Sequence, residues 1–401
     1  MFDVPRIQEA VRQHGVAGWL LYDFRGQNAL ARRIVQFPSD GHATRRWLYL
    51  IPADGRPRKL VHRIEAGVLD HLPGDKQVYL RWQELEAGIR WLLDAGTPQS
   101  AGPKRIAMEY ATGISNPYIS CVDAGMVEFV RSCGAEVVSS GDLVQQFEAT
   151  LDDEQWTMHR EAARHTEAAF GVAWKYIAER VRADTPLTEI DVQRRIMGFF
   201  TEHELVTDHP PIVGVGPHSG DPHYAPTAES NLPIRPGDFV LVDLWAKLAK
   251  PRSIYSDLTR VGFVDREVPE KYEQIFQIVA AARDAGIQVV RDAFAASQPL
   301  RGYEVDDACR AVIEQSGYGE FFVHRTGHNI GENDHGNGAH MDNLETREER
   351  LVVPRTLFSI EPGIYLPEFG VRSEVNVFID ATGGVHVTGG EPQRKVLAIL
   401  A

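Results

Sequence analysis

The stretch LDDEQWTMHREAARHTEAAFGVAWKYIAERVR, Leu151 to Arg182, is where the texture of the chain changes. Its apolar residues recur at helical spacing, and acidic LDDE stands at the start, where the helix dipole favours negative charge. One long amphipathic helix is predicted. After the turn ADTP, Thr188 and Asp191 make a capping-box-like start for a second helix running to about Glu204. Apolar, strand-like segments follow: PIVGVG, DFVLVDLWAKL and SDLTRVGFV. The same order then repeats, with a long helix over about Glu270 to Ala296 and a shorter one from Val305 to Gln315. EFFVHRT, TLFSIEPGIYL and GVRSEVNVFID read as the second set of strands, ending in HVTG and KVLAIL. Two helices and then strands, twice, describe two halves of one sheet-and-helix domain over residues 151–401. Letter-level similarity between the halves is poor, so the repeat is one of order only.

Upstream, residues 1–150 alternate short apolar strands (VAGWLLYDF, RRWLYLIPA, RKLVHRI, KQVYLRW, RIAMEY) with helical patterns such as that near 83–95. That alternation predicts a smaller α/β domain, helices packed on a sheet. Its histidines, His14, His42, His62 and His71, are dispersed and read as surface residues.

At 401 residues two domains are the expectation, and 43% hydrophobic with 24% charged residues is the balance of a soluble globular protein. The net charge of −14 argues against nucleic acid, since phosphate neutralisation needs a basic surface. MFDVPRIQEAVRQHG has acidic residues and no apolar core, unlike a signal peptide, and no apolar run approaches the ~20 residues that span a bilayer. Cys121, Cys133 and Cys309 are odd in number and scattered, fitting neither a disulfide framework nor a thiolate metal site. A cytoplasmic, membrane-free protein is expected.

Several strands of the second half carry acids where a core strand should be apolar. Asp243 interrupts FVLVDLW and Glu361 sits in FSIEPGIY. In GVRSEVNVF, period-two alternation places Arg372, Glu374 and Asn376 on one face. Burying an unpaired carboxylate costs several kcal/mol, so each needs a partner. One such acid is ordinarily a salt-bridged or strand-end residue, but three in one domain, alongside Asp257, point to a shared purpose. The loop HRTGHNIGENDHGNGAH adds His324, His328, His335 and His340. The four-residue spacing of His324 and His328 matches a helical zinc motif, yet Thr326 and Gly327 stand where HExxH needs its glutamate, and the glycines favour a loop. Four carboxylates with one or two histidines form a hard, oxygen-rich set that suits Mn²⁺ and tolerates Zn²⁺ or Co²⁺. So many anionic ligands exceed the need of one ion and suggest two, ~3.5–4 Å apart, sharing carboxylates and a water of lowered pKa.

At these residues the chain resembles the pita-bread metallopeptidases, the family of methionine aminopeptidase, Xaa-Pro aminopeptidase and Xaa-Pro dipeptidase (prolidase). The matching motifs, in order, are HY at His223, VD at Val242, SDLTR from Ser256, HRTGHNIG from His324, DHG from Asp334, SIEPGIY from Ser359 and GVRSE from Gly370. The likeness covers roughly residues 151–400, and the first 150 fit the smaller N-terminal domain of the proline-specific branch. It implies an α+β pita-bread catalytic domain. It also implies two divalent ions, with Asp243 chelating one, Asp257 and Glu374 bridging, and His328 and Glu361 completing the other.

Further roles follow from the same likeness. His223 and His335 match histidines that contact the substrate carbonyl and stabilise the tetrahedral intermediate, and Arg372 an arginine that orients the site. Glu361 matches the proton-shuttling position, and Thr259 would fix a carboxylate ligand. Arg347, in ETREERLVVP, matches an arginine that binds the free carboxylate of a dipeptide, although a surface role fits it equally well. The implied activity is hydrolysis of the bond before proline, by a dipeptidase or else an aminopeptidase, in a homodimer. Asp243 and Asp257 stand fourteen positions apart, more than the family's spacing, which implies an enlarged hairpin near the site. Two other classes compete, a metal-free creatinase-like hydrolase and a non-catalytic pita-bread binding module. Both lose the acidic ligands that this chain keeps.

Overall fold

The computed structural model describes residues 2–96, 102–113 and 115–401, and the chain divides into two compact units, Met1–Glu148 and Ala149–Ala401. The N-terminal unit runs α1 (Val4–Gln13), β1 (Gly18–Asp23), α2 (Ala29–Ile34), β2 (Trp47–Pro52), β3 (Arg58–His62), β4 (Asp75–Tyr79), α3 (Trp82–Leu93), β5 (Lys104–Met108), α4 (Ala124–Ser132), β6 (Ala135–Ser139) and α5 (Gly141–Glu148). One six-stranded sheet in the order β4-β3-β2-β1-β5-β6 carries helices. Its β1 and β2 are buried along their whole length, which is why both read as unbroken apolar runs.

The C-terminal unit opens with α6 (Asp153–Arg182), capped as its sequence predicts. Asp152 accepts from the Gln155 amide and Gln155 reaches back to the Asp152 amide, with Asp153 and Glu154 in the first turn. Next comes α7 (Glu189–Glu202), started by the reciprocal bonds of Thr188 and Asp191. The first set of strands is β7 (Leu205–Val206), β8 (Ile212–Val215), β9 (Phe239–Leu248) and β10 (Ser256–Phe263). A second round follows, with α8 (Glu270–Ala295), α9 (Gly302–Gln315), β11 (Asn329–Ile330), β12 (Leu357–Ile360), β13 (Gly363–Tyr365), β14 (Gly370–Arg372), β15 (Val375–Ile379), β16 (Val385–Thr388) and β17 (Leu397–Ala398). Sheets β17-β10-β9-β7, with β8 also on β9, and β11-β12-β15-β16 carry the two halves.

Alternation along β9 feeds two cores. Val240, Val242 and Leu244 pack with α6 and α7, whereas Phe239 and Leu241 pack with α8, α9, β12 and β15. Asp243 has the parity of Phe239 and Leu241, so its carboxylate points between the two halves.

Three strand expectations need correction. EFFVHRT is not a strand: a 3₁₀ turn covers Gly319–Phe321, and the backbone beyond it bonds to side chains of α9. Arg310 donates to the carbonyls of Phe322 and His324, and Asp306 accepts from the Thr326 amide, so no neighbouring strand is required. TLFSIEPGIYL divides at Glu361–Pro362, where proline cannot continue the ladder, and GVRSEVNVFID divides at Ser373–Glu374. Among the described residues no helix is long and apolar enough to cross a membrane.

Candidate metal centre

The β9–β10 hairpin sets the first acids. Its register pairs Thr259 with Asp243 and Asp257 with Trp245. Partners across a ladder share a face, as do residues two apart, so Asp243, Thr259 and Asp257 project together. The long spacing is absorbed by the strands and a seven-residue link, 249–255. Asp257 is delivered into the cluster, 6% exposed. Asn376 of β15 holds it there, bonding both the amide and the carbonyl of Asp257 through its side chain.

Each break in the second sheet presents a carboxylate. Glu374, between β14 and β15, accepts from the Thr259 hydroxyl at 2.8 Å. Glu361, between β12 and β13, accepts from Ser359 Oγ at 3.1 Å, and that same hydroxyl accepts the His328 amide at 3.0 Å. His328 comes this close to β12 because residue 327 is glycine. A Cβ there would lie 2.1 Å from the Ser359 carbonyl oxygen.

The His328 ring decides what the cluster holds. Its Nδ1 lies 3.3 Å from the Asn329 carbonyl, which accepts, so the proton resides on Nδ1. Nε2 then offers a lone pair, 3.4 Å from Asp257 Oδ2 and 3.4 Å from Glu361 Oε1. Burial holds this imidazole well below its ordinary pKa, so it is neutral. Lone pairs therefore face lone pairs. Asp243 Oδ1, Asp257 Oδ1, Asp334 Oδ1 and Glu374 Oε1 are sealed from solvent without a hydrogen-bond partner. Burial first, then the neighbouring carboxylates, raise Asp257, Asp334 and Glu374 well above the usual range. Burial raises Glu361 as well, against the opposing charge of Arg372.

A buried carboxylate without a partner costs about 1–3 kcal/mol or more, and cations placed among these atoms remove that cost. Oxygen donors with one imidazole fit hard divalent ions. Donor atoms of Asp257, His328 and Glu374 all lie within 4.8 Å of one another, as ligands of a shared ion must.

Arg372 is the buried counter-charge. Its guanidinium pairs with Asp243 and donates to Thr259 Oγ1 at 2.9 Å and Tyr365 OH at 2.9 Å. It lies 3.8 Å from Glu361 Oε2. His324, also of the loop, bonds Tyr365 OH through Nε2 at 2.7 Å, so it steadies Arg372 through the tyrosine. The His335 ring lies tilted against that of His328 with centroids 4.1 Å apart, and nearly half of its side chain remains exposed. His223 is exposed and near enough for its charge to bear on both His324 and His335. His340 instead accepts the Asn329 amide and shapes the loop.

Arg347 is not brought into the cluster. It is exposed, paired with Glu349 at 2.8 Å and laid over the Tyr303 ring at 4.5 Å, so its charge is met locally at the surface. The buried arginine of that run is Arg350, which bonds Glu348 and the carbonyls of Asn337 and Gly338, tying down the loop that follows His335. Sequence reasoning also missed Asp334 and Tyr365 as members of the site. Both lie inside quoted motifs, but neither interrupts an apolar strand, so periodicity gave no signal.

With this geometry in place, the comparisons identify the class. The profile of metallopeptidase family M24 matches residues 157–381, more than half of the chain, and the chain belongs to that family. It is 30% identical over 257 residues to the putative dipeptidase YkvY of Bacillus subtilis, covering 64% of this chain and 64% of that protein. The Xaa-Pro dipeptidase of Lactobacillus delbrueckii subsp. lactis is 27% identical over 241 residues, 60% of each. The chain thus spans a little under two thirds of these relatives. The crystal structure of dipeptidase PepE from Mycobacterium ulcerans matches with a TM-score of 0.68 at 21% identity, covering 99% of this chain and 96% of that one. The fold is the pita-bread α+β fold that the motifs imply.

Proposed function

We propose that the chain hydrolyses the Xaa-Pro bond as a Xaa-Pro dipeptidase, using two divalent ions, Mn²⁺ foremost, held by Asp243, Asp257, His328, Glu361 and Glu374. The observation that carries this reading is the ring of partnerless carboxylate oxygens around the His328 Nε2 lone pair. Bound there, the ions would polarise the scissile carbonyl and lower the pKa of a water near it.

The chain's own residues supply the rest. Glu361, its proton affinity raised by burial, is suited to take a proton and pass it to the leaving nitrogen. Arg372 keeps Asp243 oriented and, through Thr259, fixes Glu374. His335 and His223, both exposed, would donate to a substrate carbonyl as negative charge develops on it. A bond to proline nitrogen has no N–H to recognise, so shape and carbonyl polarisation must serve.

The preference for a dipeptidase rests on relatives so named, beside which stand others named as putative Xaa-Pro aminopeptidases. With Arg347 at the surface, no residue of this chain adds to that preference. The intact acids speak against a metal-free hydrolase or a binding module. The test incubates metal-reconstituted protein with Xaa-Pro and Xaa-Pro-Xaa peptides and identifies products by mass spectrometry. Turnover of the dipeptide is expected; cleavage of the tripeptide alone assigns an aminopeptidase, and turnover of neither removes the peptidase reading.

A further inference from the structure

Asp334 holds none of the roles described above, yet it is built into the site. The residue is 9% exposed, and its Oδ1 is sealed from solvent with no hydrogen-bond partner. Oδ2 lies 3.8 Å from the His335 ring. Donor atoms of Asp334, His328 and His335 all lie within 4.8 Å of one another, and this triad joins the Asp257–His328–Glu374 group at His328. With an oxygen this close to the His328 ring, the Asp334 carboxylate faces the cluster. Arg325 contributes an opposing positive charge, but its guanidinium bonds the His335 ring, at 3.3 Å.

The loop backbone explains how the carboxylate is kept there. The Gly331 amide bonds the Asn333 carbonyl, and the Gly336 amide bonds the Asn329 carbonyl, folding residues 329–336 back on themselves. The His328 ring also meets the backbone of Asp334. The imidazole is therefore held on one side by the chain that carries the aspartate. An acidic side chain in this position has no partner among the described side chains for Oδ1, and a buried carboxylate oxygen needs one.

We propose that Asp334 is a further protein ligand of the divalent ion held by His328, adding a carboxylate to that position beyond Glu361 and the bridging acids. The inference rests on the two-ion reading above. It makes the His328 position harder and more negative than its partner, so that ion should be the tighter of the two and the more selective for oxygen-preferring Mn²⁺.

The test needs no substrate. Apo protein, wild type and the Asp334→Asn, Asp334→Glu and Asp334→Ser variants, is titrated with Mn²⁺ alone by calorimetry, and bound ions are counted by equilibrium dialysis. For Asp334→Asn we expect the affinity of one ion to fall by about tenfold or more, since even groups that merely orient a ligand cost ~10–100-fold. The other ion should be unaffected, and Asp334→Glu should restore much of the loss. Asp334→Asn also removes a repelling charge, so its apo form should melt no lower than wild type; if it fails to fold, Asp334→Ser answers the same question. Wild-type affinity for both ions in the Asn and Ser variants overturns the inference and leaves the proposed function standing. If wild type binds only one ion, the two-ion reading fails, and the variants' affinity for that single ion still decides whether Asp334 is a ligand.

Discussion

Replacing Thr259 by valine isolates one hydroxyl on which two parts of the site depend. Its Oγ1 accepts from Arg372 Nε at 2.9 Å and donates to Glu374 Oε2 at 2.8 Å, and the residue is fully buried. Valine keeps the shape and removes both bonds, so a guanidinium N–H and a carboxylate oxygen lose their partners at once. Hydrogen bonds to charged groups contribute about 1.5–3 kcal/mol each, and stranding a buried charged partner costs at least that much. The apo protein should therefore lose roughly 2–4 kcal/mol in urea denaturation with chelator present. Glu374 is also released from its orientation, and such losses weaken metal binding by about 10–100-fold, some 1.4–2.8 kcal/mol. Thr259→Ser keeps the hydroxyl and serves as the control, expected near wild type in Mn²⁺ titration. Wild-type metal affinity in the valine variant would refute the reasoning. Equal damage from serine would place the effect in the lost methyl group instead.

Further outcomes are expected elsewhere in the chain. Glu374→Gln should raise the apo melting temperature above wild type, because an amide donor replaces a repelling oxygen beside Asp257, while the rise on adding Mn²⁺ shrinks. Saturating metal at about 100 times Kd should stabilise wild type by ~2.7 kcal/mol, lost on chelation and read by thermal melts. Arg347→Ala should leave kcat/KM for Xaa-Pro unchanged; a tenfold rise in KM would return that residue to the site. His159, fully buried, bonds the Tyr255 carbonyl and the Thr388 hydroxyl, and burial pulls its pKa from 6.5 to about 4. The folded state thus refuses a proton that the unfolded chain accepts, so stability present above pH 6.5 is lost as pH falls towards 4. At ~1.4 kcal/mol per unit this reaches about 3 kcal/mol, and denaturation of wild type against His159→Gln between those limits should show the variant's shallower slope.

How far the site was legible depended on what kind of evidence each residue leaves. Asp243, Glu361 and Glu374 betray themselves as acids among apolar strand residues. The caps of α6 and α7 are likewise local, Asp152 with Gln155 and Thr188 with Asp191, and both form as their spacing implies. EFFVHRT misled because its apolar run satisfies its backbone through Arg310 and Asp306 rather than a strand, a long-range solution invisible in the run itself. Arg347 misled in the opposite sense, as a charge whose nearest partner, Glu349, is only two positions away.

By itself the sequence determined the order of the helices and of most strands, the helix starts, and the presence of acids in strands that should be apolar, because periodicity, capping and desolvation cost all act within a few residues. Only the tertiary structure decided which oxygens converge. The β9–β10 register put Asp243, Thr259 and Asp257 on one face, Gly327 let His328 approach Ser359, and the folded-back loop turned Asp334 inward. Those placements depend on strand pairing and close packing that no local pattern spells out: Thr259 pairs with Asp243 across the hairpin, Gly327 meets Ser359 of β12, and Asn376 holds Asp257 from 119 positions away.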